Sequence, residues 1–208
     1  MPLLQQWNIN NLGRAAIWKI EEPEDFFVKS TGIASAIKNE KRRIEHIAGR
    51  FLLQYLDKDF PLAAISNDGH DKPRIPGNDW FFSISHSWPY VAVAIDPLFE
   101  AGIDIQTWHP RIEQIKHKYL SDEEQAMLQH DPKLFIQAWC AKEAVYKWHG
   151  RRGVEFIGEL PIISLERNND MMIYFRLNTV PQMIFIESII NGHFACSYVA
   201  GAQNWAIW

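Results

Sequence analysis

The chain has very little of what most readily identifies a protein. Only two cysteines, Cys140 and Cys196, stand in its 208 residues, too few for a disulfide framework or a cysteine-based zinc finger, so a reducing compartment fits best. No apolar run approaches the ~20 residues that a membrane span needs. The opening MPLLQQWNIN lacks the basic and long apolar regions of a secretory leader. A cytoplasmic protein without membrane association is therefore expected. The formal net charge of −4 argues against a general nucleic-acid binder. No G-x-x-x-x-G-K-[ST] loop occurs, nor a G-x-G-x-x-G after a strand, so a phosphate ligand would depend on scattered side chains and a metal. The G-x-S-x-G elbow and the H-E-x-x-H zinc motif are missing too. Low-complexity segments and long linkers are also absent.

What is present has the composition of a globular protein, 47% hydrophobic and 22% charged. The length admits two compact halves of about 100 residues each. RAAIWKI (14–20) reads as a strand and EEPEDFF as an acidic connector. From Asn39 to about Leu56, Ile44, Ile47, Ala48, Phe51, Leu52 and Tyr55 recur at the helical period, with Arg43, His46 and Arg50 on a basic shoulder. SNDGHDKPRIPGNDW (66–80) is loop and turn. FFSIS and YVAVAID read as strands on either side of the turn HSWP. AGIDIQTW (101–108) is a further strand. SDEE at 121–124 has the form of a capping box opening a helix near 122, which Asp131-Pro132 breaks. A second helix runs to about His149. RRGVEFIGEL reads as loop, and PIISLER, MMIYFRL, MIFIESII and HFACSYVA are mostly β. Each half thus offers a long helix followed by strands, with a boundary near Pro97–Gly102 that divides the chain into 1–100 and 101–208.

The densest chemistry lies in AWCAKEAVYKWHG (138–150). On a helix, Trp139, Glu143 and Lys147 stack along one face. The plain explanation is an exposed Glu–Lys pair contributing about 0.3–0.5 kcal/mol. Asp104 sits between two isoleucines of a strand, with Gln106 pointing the same way, and a carboxylate there must be paired, hydrogen-bonded or on a metal unless it is exposed at the strand end. Asp104 and Glu143 together could hold Mg²⁺, which takes oxygen ligands and shares a substrate's phosphates. Arg50, Lys72, His86, Lys142 and Lys147 are candidate phosphate ligands.

Four ordered pieces, HDKPRIPGNDWFFSISHS, GIDIQ, KYLSDEEQAML and WCAKEAVYK, resemble the 4′-phosphopantetheinyl transferases of the long, pseudo-dimeric, surfactin-synthetase-activating class. That family shows a G-K-P-like loop leading to a strand ending S-H-S, then G-[IV]-D-[IV]-E, then W-[SC]-x-K-E-[AS]-x-x-K. The likeness spans roughly residues 41–150. It implies an α+β fold of two similar halves related by a pseudo-two-fold, each a small antiparallel sheet packed with a long helix, with coenzyme A and Mg²⁺ in the cleft between them. The implied reaction moves the phosphopantetheine arm of coenzyme A to a serine of an apo acyl or peptidyl carrier protein and releases 3′,5′-ADP. The resemblance assigns Asp104 and Glu143 to Mg²⁺ and gives Glu143 the further role of base. It places Lys147 on the pyrophosphate with Lys142 as its neighbour, Ser85 and His86 on phosphate oxygens, and Arg50 and Lys72, with Lys38 assisting, at the 3′-phosphate and adenine end. Gln106 replaces the family's second acid and would be an uncharged metal ligand; Cys140 replaces the more usual serine. A single chain carrying both halves is expected to work as a monomer. The rival expectations are a coenzyme A-binding protein that no longer transfers, and an interaction module binding acidic partners through RIEQIKHKY (111–119), where Arg111, Lys116 and Lys118 would also dock a carrier.

Overall fold

The structure, a computed structural model, describes residues 2–69, 72–77, 80–166, 168, 170–177 and 180–204, without the side chains of residues 176, 177 and 180. His70 and Asp71 of the HDKP stretch lie outside the described residues. The chain divides into two compact units, Met1–Ala101 and Gly102–Trp208. Both are α+β with antiparallel sheets. No described helix is long and apolar enough to cross a membrane.

In the first unit, β1 (Leu3–Asn8) and β2 (Arg14–Lys19) form a hairpin, followed by α1 (Glu24–Thr31) and α2 (Glu40–Leu56). The short pair β3 (Ser66–Asn67) and β4 (Pro73–Arg74) precedes the hairpin β5 (Phe81–Ser87) and β6 (Tyr90–Asp96). The main sheet has the order β1-β2-β6-β5. Asn39 caps α2 by accepting from Arg42 N, as an Asn at the N-cap does. The helix buries Ile44, Ile47, Ala48, Leu52, Leu53 and Leu56 among strand residues such as Val91, Val93 and Ile95. Gly49 permits this approach, because a Cβ there would come within 2.8 Å of the Ile84 side chain.

Two readings of this unit change. Phe51 and Tyr55 do not belong to the buried face of α2; Tyr55 is 45% exposed, and at 100° per residue both lie at the rim of the stripe. There their rings meet Trp18 at 5.0 and 5.7 Å. The acidic connector contains a helix, α1, with Glu24 and Asp25 in its first turn, where carboxylates favour the helix N-terminus. Eight residues are too few for the apolar period to show.

In the second unit, β7 (Ile103–Thr107) leads through α3 (Pro110–Gln114) to α4 (Asp122–Met127) and α5 (Pro132–His149). After α6 (Phe156–Glu159) come β8 (Ile162–Leu165), β9 (Met171–Leu177), β10 (Val180–Ile190) and β11 (Phe194–Asn204), in the sheet order β7-β11-β10-β9-β8. The capping box forms, Ser121 N donating to Glu124 Oε2 at 2.8 Å and Glu124 N to Ser121 Oγ at 3.2 Å. Asp131 caps α5, Pro132 opens it, and Gly150 closes it at φ 71°. RRGVEFIGEL, expected as loop, holds the single turn α6. β7 lies close against α5, since a Cβ on Gly102 would stand 2.2 Å from Ala144 O and 2.7 Å from Trp148 Cβ. That approach brings Asp104 under the helix.

Candidate active site

Asp104 is buried on β7, opposite Ser197 of β11. Lys147 Nζ reaches across from α5 and donates to Asp104 Oδ1 at 2.6 Å and to Ile103 O at 3.3 Å. The plain alternative, an exposed Glu143–Lys147 pair along the helix, is therefore not formed; two of the lysine's three protons go to the strand. Glu143, one turn back, is half-buried, and among the described residues its carboxylate has no hydrogen-bond partner. Burial, and then the negative charge of Asp104, push its pKa from 4.5 up to about 7, against the opposing pull of Lys147. A carboxyl with that value can gain or lose a proton near neutral pH. Cys140 is fully buried beside them, its thiol pushed well up by burial and by Asp104, which makes it inert as a nucleophile. Gln106 is half-buried, and its Nε2 donates to Thr107 O at 3.2 Å.

Lys142 does not join this group. It is 0% exposed, and Nζ donates to Glu124 Oε1 at 2.6 Å, Tyr119 O at 2.7 Å and Phe156 O at 3.0 Å. Three acceptors use its three protons in this arrangement, so no proton of Lys142 is left over for a phosphate here. Burial pulls its pKa down while Glu124 raises it. Trp139 also leaves the expected ridge. Its ring packs on Tyr119 at 5.1 Å and Phe156 at 5.7 Å, on the Lys142 side of α5.

In the first unit, His86 is exposed on β5, and its Nδ1 lies 3.0 Å from Glu45 Oε2 of α2. Ser85, adjacent on the strand, is 5% exposed and by strand alternation points to the opposite face, so the two side chains do not converge. Arg50 Nη1 bonds His46 O at 3.1 Å and His46 Nδ1 at 3.2 Å. Burial and then the Arg50 charge lower the His46 pKa to about 4. The ring is thus neutral at ordinary pH and can accept from the guanidinium, fixing its orientation. Lys72 Nζ is held by Glu100 Oε2 at 2.9 Å, and Arg74 bonds the same carboxylate. Lys38 is exposed just ahead of α2. On the carrier-docking stretch, Arg111 and Lys118 are exposed, whereas Lys116 Nζ stands 4.8 Å over the Phe135 ring.

Sequence reasoning missed Glu45 and Glu100, the carboxylates that hold His86 and Lys72. Glu45 carried a signal: with Ala48, Gly49, Leu52 and Leu56 it keeps the i, i+3, i+4, i+7 spacing of the apolar stripe, where a carboxylate needs a partner. Glu100 carried none, because its partners Lys72 and Arg74 come from the β4 segment, 28 and 26 residues away in the chain.

Among the described residues no three His, Cys, Asp or Glu side chains are grouped to hold a metal. The donor set still suits Mg²⁺. Asp104 and Glu143 are two carboxylates close enough to raise one pKa, and Gln106 adds an amide oxygen on the same strand face. Mg²⁺ is commonly bound by one or two carboxylates, the substrate's phosphates and water supplying the rest.

Residues 100–201 match the family model of the 4′-phosphopantetheinyl transferase superfamily. The matched segment contains Asp104, Gln106, Glu124, Lys142, Glu143 and Lys147. No curated protein matches the chain. The matched segment is just under half of the chain, and the similarity points to phosphopantetheinyl transfer only in general terms.

Proposed function

We propose that the chain transfers the 4′-phosphopantetheine arm of coenzyme A to a serine of an apo carrier protein, as a single-chain enzyme of the long, two-unit class. The observation that carries this is the grouping of Asp104, Glu143 and Lys147 from β7 and α5, inside the segment similar to the superfamily. The presence of one long helix on an antiparallel sheet in each unit supports the two-unit class and a monomer.

The serine hydroxyl attacks the phosphorus that bears the pantetheine arm. A new P–O bond forms, the bond to the bridging oxygen breaks, and the electron pair leaves with 3′,5′-ADP. Glu143 takes the serine proton, directly or through a water; in the metal-free site burial and Asp104 raise its pKa to about 7, so its carboxyl is a ready proton acceptor there near neutrality. Lys147 has given two of its three protons to Asp104 and Ile103 O, and the third is directed to the pyrophosphate, where negative charge gathers on the leaving group. Asp104, Glu143 and Gln106 would hold Mg²⁺, which when bound neutralises phosphate charge as a Lewis acid. Arg50, with its fork fixed by His46, and Lys72 are assigned to the 3′-phosphate end, and His86 to a phosphate oxygen. Arg111, Lys116 and Lys118 are assigned to the acidic face of the carrier.

The test is incubation with coenzyme A, Mg²⁺ and a panel of apo carrier proteins, followed by mass spectrometry of the carriers. Gain of the arm on one serine is expected. Coenzyme A binding without transfer to any carrier would make the chain a degenerate binding module, and binding of carrier alone would make it an interaction module.

A further inference from the structure

We infer that Lys142 and Glu124 form a buried positioning pair that sets the rotation and height of α5, and so aims Glu143 and Lys147 at Asp104. The inference rests on the transfer reading for its kinetic readout.

Lys142 precedes Glu143 directly, yet the two side chains leave the helix about 100° apart. Glu143 and Lys147 take the side toward β7, and Lys142 takes the side toward α4, α6 and β8. Its ammonium gathers one acceptor from each of three separate segments: Tyr119 O ahead of α4, Glu124 Oε1 within it, and Phe156 O at the start of α6. Glu124 is as fully committed. Its Oε1 also accepts from Ile162 N of β8 at 2.8 Å, and its Oε2 from Ser121 N at 2.8 Å. With Lys142 0% and Glu124 3% exposed, neither charge has water to fall back on. Trp139, Tyr146 and Phe156 cover this side of the helix, Phe156 lying 5.7 Å from Trp139 and 6.1 Å from Tyr146. The Lys147–Asp104 bond fixes the other side of α5. The helix is therefore held at two points that differ by about 140° around its axis.

The consequence follows from leverage. A side-chain carboxylate lies about 5–6 Å from the helix axis, so a rotation of about 10° carries it about 1 Å. A displacement of that size costs about 10²-fold in rate when the group must meet a reacting atom. Breaking one partner of a buried pair leaves the other charge uncompensated, whereas neutralising both is far better tolerated. This asymmetry separates positioning from coenzyme contact.

The experiment compares Lys142→Met, Glu124→Gln and the double variant in thermal unfolding, coenzyme A binding by calorimetry, and steady-state transfer. In the double variant no charge is left buried, and the Gln amide oxygen can still accept from Ile162 N in place of Glu124 Oε1, at the cost of the Ser121 N contact. Lys142→Met is expected to lower kcat about 10²-fold with KM for coenzyme A changed less than about threefold. The double variant should unfold at a higher temperature than Lys142→Met and regain kcat to within about tenfold of wild type. A double variant still as slow as Lys142→Met, with weaker coenzyme A binding, would overturn the inference and return Lys142 to the phosphates. If Lys142→Met does not fold, the double variant alone decides by the same criteria. Wild type that neither binds coenzyme A nor transfers would sink the transfer reading instead, while an additive unfolding cycle would sink the pair.

Discussion

Glu143→Gln removes the one carboxyl of the cluster that has no hydrogen-bond partner among the described residues, and the consequence for stability has a definite sign. The folded protein holds the Glu143 proton up to about pH 7, while the unfolded chain releases it near 4.5. Between these values the folded state binds more protons, so stability falls as pH rises. Below 4.5 the contribution is complete; above about 7 it is lost. The difference from 4.5 to about 7 corresponds to about 3 kcal/mol at about 1.4 kcal/mol per pH unit. Burial is the larger cause and the Asp104 charge the second, and glutamine, which is neutral at every pH, escapes both. Urea unfolding of the two proteins in EDTA, at steps from pH 4 to 8, isolates the effect, because other titrating groups such as His46 are common to both. The stability of wild type relative to Glu143→Gln should decline by about 3 kcal/mol across that range. Mg²⁺ should reverse the trend in wild type alone, since a metal competing with the proton binds better as pH rises. In turnover the same substitution should lower kcat by about 10²–10⁴-fold, the usual loss of a general base. Parallel stability profiles would show that Glu143 titrates alike in the folded and unfolded states, and the reasoning about its burial would fail.

Gly102→Ala should destabilise the protein by about 1–3 kcal/mol in urea unfolding, because the added methyl would meet the backbone of α5 at 2.2 Å. A neutral outcome would mean that β7 and α5 separate easily. Gln106→Glu should lower the Mg²⁺ needed for half-maximal activity and make metal binding less dependent on coenzyme A, as calorimetric titrations with and without coenzyme A would show; coincident titrations would place residue 106 off the metal. Arg50→Ala should raise KM for coenzyme A about 10–10²-fold, in line with a charge-assisted contact of about 1.5–3 kcal/mol, with little change in kcat. It should also erase the preference over dephospho-coenzyme A, and a preserved preference would move the 3′-phosphate elsewhere. Lys116→Glu with Lys118→Glu should raise KM for the carrier alone, by a factor that shrinks at high salt; a salt-independent loss would point to damage at the Lys116–Phe135 contact.

What the sequence by itself determined is local. The stripe from Ile44 to Leu56, the Asn39 cap and the Ser121–Glu124 box each act within a few residues, so α2 and the start of α4 are legible in the order of side chains alone. The same holds for α5, opened by Asp131-Pro132 and stopped at Gly150. The motif residues Asp104, Glu143 and Lys147 could be singled out through their spacing and family resemblance. Tertiary structure alone decided what each of them touches. Helical periodicity states which side chains share a direction, but not which direction faces the strand, so the bond from Lys147 to Asp104, 43 residues away, could not be read from the spacing of Glu143 and Lys147. Lys142 and Glu143 are neighbours in the chain, yet one is sealed among carbonyls and a carboxylate while the other is half-buried beside Asp104, and burial and that charge lift its pKa. Burial and Coulomb energy depend on atoms brought together from β7, α4, α5 and α6. Those distances exist only once the chain is packed.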